Sequence, residues 1–193
     1  MELIDKIKAE IRQKGLNLKS KQAATWINKL VRTTVRITPR RIIQTSKKIF
    51  KKPTLGKMYF FFYDAKWKEV LPFWDRFPLC IPIYYYPDGF LGINLHYLPV
   101  NLRILLLSNM YAYLNNTKMD ESTRIKLTYN LIKKVSKLRY AKPCIKRYLY
   151  YHINSPLVEV SADEFEYAIL LPVERFVGQN KRTVHRKTRE LFK

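Results

Sequence analysis

Between Lys133 and Tyr151 the chain reads KKVSKLRYAKPCIKRYLYY. Lys133, Lys134, Lys137, Arg139, Lys142, Lys146 and Arg147 alternate there with Tyr140, Tyr148, Tyr150 and Tyr151. Lys and Arg neutralise phosphates and release their condensed counterions. Exposed tyrosine rings stack on unpaired bases. The combination suits gripping a polyanion rather than transforming a substrate. A plainer reading makes the tyrosines core and leaves only the cations in water. Tyr148, spaced to share a helical face with Cys144, fits that reading, while Tyr140 and Tyr150 fit either. A second basic set, Lys29, Arg32, Arg36, Arg40 and Arg41, runs along the first 52 residues instead of gathering into a pocket. That arrangement suits backbone contacts that read no sequence.

Other chemistries find little footing. Two-metal hydrolysis needs clustered carboxylates, and the candidates are Asp64, Glu69 and Asp75. Asp64-Ala-Lys66 has a carboxylate and an ammonium two apart, but Asp64 and Asp75 read more simply as caps of loops and turns. His96, His152 and His185 stand alone, neither Cys80 nor Cys144 has a close partner, and no metal-ligand spacing occurs. His96 reads as a packed or hydrogen-bonded strand residue, and the cysteines as two reduced thiols. No phosphate-loop glycine pattern and no nucleophile elbow is present. The expectation is a protein that is not an enzyme and carries no cofactor and no metal. Nothing matches a helix-turn-helix, a zinc finger or an RNA-binding aromatic motif, which disfavours sequence-specific regulation.

The charge balance points the same way. The 193 residues carry 37 Lys+Arg against 15 Asp+Glu, a net of +22. Solubility needs a net charge of only about 2–8 in a small domain, so this excess implies a polyanionic partner. Nucleic acid is the first candidate and an anionic membrane surface the second. The charge is also blocked: residues 1–52 have 15 basic and 3 acidic side chains, residues 53–100 four of each, and residues 101–157 eleven against two. Residues 158–176 are net acidic, and 177–193 are basic again. The longest apolar runs, Met58–Tyr63 and Ile104–Leu107, fall far short of the ~20 residues that span a bilayer. No membrane segment is expected, and the chain reads as soluble.

The elements that must position these residues follow from periodicity and punctuation. Leu3, Ile4, Ile7 and Ile11 predict a helix over residues 1–14, with Gly15 as its C-cap. Residues 20–37 predict a second helix opening at Ser20. After Pro39 a third runs from Arg40 to Phe50, anchored by Ile42, Ile43, Ile49 and Phe50. This basic helical arm, 1–52, lacks a core of its own and must dock or await a partner. The core domain, 53–176, reads as strands at Lys57–Tyr63, Leu79–Tyr86 (edge or bulged, because of Pro82), Phe90–Leu98 and Leu157–Val160. Asp88-Gly89 marks a turn, and Leu71–Pro78 reads as irregular. Helices are expected at 100–114, at about 121–139 with Lys126, Lys133 and Lys137 on one stripe, from Pro143 to about Tyr151, and at Phe165–Leu171 behind a capping box at Ser161–Glu164. The Pro143 helix would aim backbone N–H groups at a phosphate. A basic C-terminal helix closes the chain within 177–193. The fold class is α+β: a small antiparallel sheet, SH3-like or similar, of three or more strands, packed with several helices.

GKMYFFFYDAK, LPFWDRFPL, GFLGINLHYLP, KPCIKRYL and LPVERF occur in that order between Gly56 and Phe176. Together they resemble the segments of the DNA end protector family of T-even-type tailed bacteriophages. The arm at 1–52 lies outside the resemblance. It implies a virion and head-completion protein, present in the host cytoplasm during assembly. Such a protein binds the termini of packaged linear double-stranded DNA, shields them from host exonuclease and meets other phage head or neck proteins. It implies no catalytic residues. Two alternatives stand beside it: a structural neck or baseplate component using the aromatic block as an interface, and a packaging-associated nuclease using Asp64. None of these features encodes an oligomeric state.

Overall fold

The computed structural model describes residues 2–18, 20–34, 38–114, 130, 134, 139–161 and 164–190. Three helices come first: α1 (Glu2–Gln13), α2 (Lys21–Thr34) and α3 (Pro39–Thr45). Gly15 stops α1 with φ +63°, and the Leu16 amide bonds back to the Ile11 carbonyl at 3.0 Å, the left-handed cap that glycine permits without steric cost. The Ser20 hydroxyl accepts from the Ala23 amide at 3.1 Å and starts α2. Thr38 caps α3, and Pro39 opens it rather than interrupting it.

The expected helix from Arg40 to Phe50 ends at Thr45 instead. Ile49 and Phe50 form strand β1 and pair with Val158 and Leu157. Tertiary pairing has overridden a helical spacing there. Ile7, Ile11, Ala23, Ala24, Ile27 and Ile42 are all buried in the central hydrophobic cluster. The first three helices thus share a core with the rest of the chain.

Seven further strands follow: β2 (Met58–Phe60), β3 (Trp74–Asp75), β4 (Leu79–Tyr86), β5 (Gly89–Asn94), β6 (Ile145–Leu149), β7 (Leu157–Val160) and β8 (Phe176–Val177). Six make one antiparallel sheet in the order β1-β7-β2-β4-β5-β6, while β3 and β8 pair separately. The class is therefore α+β, with a sheet twice the minimum read from the sequence. β4 is central rather than an edge, and Pro82 is accommodated where its register with β5 shifts between Pro82 and Tyr84. β5 stops at Asn94, and Leu95–Tyr97 turn as a single 3-10 helix.

Side chains of period two sort the sheet into two faces. Met58, Phe60, Ile81, Ile93 and Val158 face the helical layer. Tyr59, Phe61, Cys80, Phe90, Tyr148 and Leu157 build an aromatic cluster on the other side. Further helices among the described residues include α4 (Val100–Leu114), α5 (Phe165–Leu170) and α6 (Lys181–Glu190). α4 packs against both α2 and α5, and Ile104 and Leu106 of α4 are buried with Ile169 of α5.

The face of α4 also buries Arg103, only 1% exposed. Its guanidinium donates to the carbonyls of Leu98, Ile169 and His96 and to Glu174 at 2.5 Å. Lys181 meets the same carboxylate at 2.8 Å. The expected helix at 121–139 lies outside the described residues, apart from Asn130 and Lys134. Among the described residues no helix is long and apolar enough to cross a membrane.

Candidate functional site

The segment expected to form a helix from Pro143 does not. Residues Arg139–Cys144 make a short 3-10 turn containing Pro143, and Ile145–Leu149 is strand β6. No helix N-terminus is offered to a phosphate there. What the segment provides is a sheet edge, since β6 ends the strand order. β6 lies against β5 with Gly92 opposite Lys146, Leu91 opposite Arg147 and Phe90 opposite Tyr148. Gly89 makes this approach possible, because a Cβ there would sit 1.9 Å from the Tyr148 carbonyl oxygen.

Tyr148 is core, as the plainer reading had it, but its partners are Phe61 and Tyr63 of the aromatic cluster at ring distances of 5.1 and 4.9 Å. Cys144 belongs to the opposite, helical side. A strand in place of the helix separates the two. Tyr150 is half-buried against Phe90, and Tyr151 is 96% exposed.

A cleft of ≈440 Å³ opens beside this edge. Its walls include Tyr63, Trp74 and Tyr148 from the aromatic cluster, Phe73 and Tyr97, and the loop residues Lys66, Trp67 and Leu71. Lys146 and Arg147 line it as well. Cations lie over rings at several points: Lys146 Nζ is 4.2 Å from the Tyr97 ring centre, Arg147 3.4 Å from Tyr86, and Lys66 5.1 Å from Trp67. Lys187 of α6 lies 5.2 Å from Phe73, a wall residue. Each such contact contributes ~0.5–2 kcal/mol and leaves the cation free to take an anion on its other side.

The charges are unevenly compensated. Arg147 pairs with Asp88 of the β4–β5 turn. Asp75 is sealed by Asn94 Nδ2 at 3.0 Å, His96 Nδ1 at 2.8 Å and the Phe77 amide at 3.1 Å. Burial would raise the Asp75 carboxyl, but the imidazole and these hydrogen bonds outweigh it and hold the group below its ordinary range. Lys146 has only the Tyr97 ring and no carboxylate within ion-pair reach among the described residues. Burial pushes its ammonium below the ordinary lysine value. An ammonium with no carboxylate partner among the described residues, in a ring-walled cleft, is chemically suited to an anionic ligand.

Of the other sequence-predicted residues, Lys142 is exposed on the turn before β6. Lys29 on α2 and Arg40 and Arg41 on α3 are exposed on the helical layer, across the sheet from the aromatic cluster. Lys133, Lys137 and Arg36 lie outside the described residues, as do the side chains of Arg32, Arg139 and Tyr140. Asp64, the carboxylate considered for hydrolysis, is paired with Lys68 at 3.0 Å. No group of three or more metal-ligating side chains occurs among the described residues. His96 is fully buried and hydrogen-bonded, in the 3-10 turn rather than a strand.

Sequence reasoning weighed Lys66 only beside Asp64, for hydrolysis, and missed Trp67, Tyr97 and Lys187. Lys66-Trp67-Lys68 has the same cation–aromatic interleaving as residues 133–151, and that signal was legible. Tyr97 joins the cleft, and Lys187 approaches its Phe73 wall, only through tertiary packing.

Fold and cleft together define an α+β protein with a ring-lined cleft bearing cations beside the β6 edge of its sheet. The chain belongs to the phage T4 terminal DNA protecting protein family, whose model matches residues 2–190. The match takes in the first 52 residues, which the motif resemblance had left aside. No curated protein matches the chain, and no solved structure does.

Proposed function

We propose that this protein binds the ends of linear double-stranded DNA and shields them from exonucleases by occlusion, as a virion component that completes the filled head beside other head or neck proteins. The observation that carries the reading is Lys146, with no carboxylate partner among the described residues, in a ring-walled cleft on a basic sheet edge, in a chain of the DNA-protecting family. Binding of this kind needs no bond-making step. Lys142, Lys146 and Arg147 neutralise phosphates near the terminus, and Tyr150 supports the edge from the aromatic side. Lys29, Arg40 and Arg41 make sequence-independent contacts to duplex backbone, joined by Arg32, Arg36, Lys133, Lys137, Arg139 and Tyr140. Covering a terminus denies an exonuclease the strand end it must engage.

The test is an exonuclease-protection assay on linear DNA, with affinities for linear and circular DNA of equal length measured over a salt series. Protection and tighter binding to linear DNA are expected. Replacing Lys142, Lys146 and Arg147 by Gln should abolish protection and flatten the slope of log K against log salt by about 2–3, since each lost phosphate contact removes ~0.9. Unchanged protection in that variant would remove the edge strand from the binding site.

A further inference from the structure

The cleft is much smaller than a duplex. At ≈440 Å³ it has the size of a small-ligand site, whereas the major groove of a duplex alone is ~12 Å wide. A paired terminus cannot enter it whole, but one nucleotide can. The ring positions suit such a guest. Trp67 is 64% exposed at the rim with Lys66 5.1 Å from its ring centre, so a large apolar face stands in water beside a cation. Tyr63, Phe73 and Trp74 supply further aromatic wall. Lys146 and Lys66 have no carboxylate partner among the described residues, and they line the same cleft. Asp75 and Asp88 also line it, but Asp75 is engaged by His96, Asn94 and the Phe77 amide, and Asp88 by Arg147.

We infer that the cleft seats the terminal nucleotide of one DNA strand, frayed from its partner, with its base stacked on Trp67 and its phosphate on Lys146. The inference rests on the end-binding reading above and explains a preference that charge alone does not. A basic surface binds the side of a duplex as well as its tip. A one-nucleotide cleft requires an unpaired base, and extruding one from inside a duplex costs a few kcal/mol, least where the base is already unpaired. A terminus is the place in a long duplex where that cost is smallest. Stacking on an exposed aromatic tolerates any base, so ends of any sequence are accepted.

The test uses the full chain and four short DNAs: a blunt duplex, a duplex with one unpaired terminal nucleotide, a duplex whose ends are closed by hairpins, and a circle. The expected order of affinity is unpaired end, then blunt end, then closed end, with the first exceeding the third about tenfold or more. Trp67→Leu should erase that difference while binding closed ends as before, and Trp67→Phe should keep part of it. Trp67 is exposed and outside the core, so its replacement leaves the fold intact, and a thermal melt of each variant checks this. In parallel, 5-iodouracil at the terminal position should photo-crosslink to Trp67, and 5-iodouracil at the duplex centre should not. Equal affinities for unpaired, blunt and closed ends, or an unaltered preference in Trp67→Leu, overturn the cleft assignment and leave end binding standing. Equal affinity for the circle and the blunt duplex overturns end binding itself.

Discussion

Lys146 is held at a position that disfavours its charge. Burial lowers its pKa, and no carboxylate among the described residues compensates. Between that lowered value and the ordinary 10.5 the unfolded chain binds more protons than the folded one, so stability rises with pH across the window. Below it the full cost of the buried charge is present. Lys146→Met removes the charge and keeps a sulfur–aromatic contact with Tyr97. We expect this variant to melt about 2–4 °C higher at neutral pH, the shift that ~1 kcal/mol gives a domain of this size. Its DNA affinity should fall. Calorimetry and a binding isotherm on the same preparation check both signs, and a variant that loses both stability and affinity would show Lys146 to be structural.

At the level of elements, α6 is fastened to the 3-10 turn that ends in the Tyr97 wall. His185 Nε2 donates to the His96 carbonyl at 2.8 Å, and Thr188 Oγ1 donates to the Tyr97 carbonyl at 2.9 Å. Burial, reinforced by the nearby Arg103 and Lys181 charges, pushes the His185 imidazole down to about 3 despite the opposing Glu174. The unfolded chain therefore takes up a proton near pH 6.5 that the folded chain refuses, and stability falls as pH drops from there towards 3. Glu174 adds a second loss at lower pH. Although burial opposes its charge, the Arg103, His96 and Lys181 charges hold its carboxyl well below the ordinary range, so its contribution begins to fall once the unfolded carboxylate protonates and is gone only when the folded one does. Thermal melts should show Tm declining from pH 7 to pH 5, with a shallower decline in His185→Gln, whose amide nitrogen can replace Nε2. An identical slope in the variant would assign the acid sensitivity elsewhere.

The same elements show where the sequence was readable. Period and caps were enough for α1 and α2, which bury an apolar face, and near-continuous apolar runs were enough for α4 and β7. β6 was missed because an edge strand that carries Lys146 and Arg147 has no alternating apolar pattern to read. Pro143 then drew the eye to a helix, although proline also fits the 3-10 turn found there. Arg103 could not be foreseen as core, since its guanidinium is satisfied by the nearby Leu98 and His96 carbonyls together with Ile169 and Glu174 from a distant segment.

Over the whole molecule, a net charge of +22 works against compactness and for polyanion binding. The two effects respond to salt with opposite sign. Raising ionic strength from ~0.05 to ~0.3 M shortens the screening length, so the Tm of the free protein should rise while the extra stabilisation conferred by linear DNA shrinks. Melting curves with and without DNA at both salts measure the crossing, and a free-protein Tm indifferent to salt would show that self-repulsion is already neutralised internally. The order of synthesis adds a last consequence. Thr188, His185 and Lys187 brace Tyr97 and Phe73 from a helix translated after every other wall of the cleft. A nascent chain still threaded through the ribosome, itself built on RNA, has its basic segments emerging first and its finished grip only at the end.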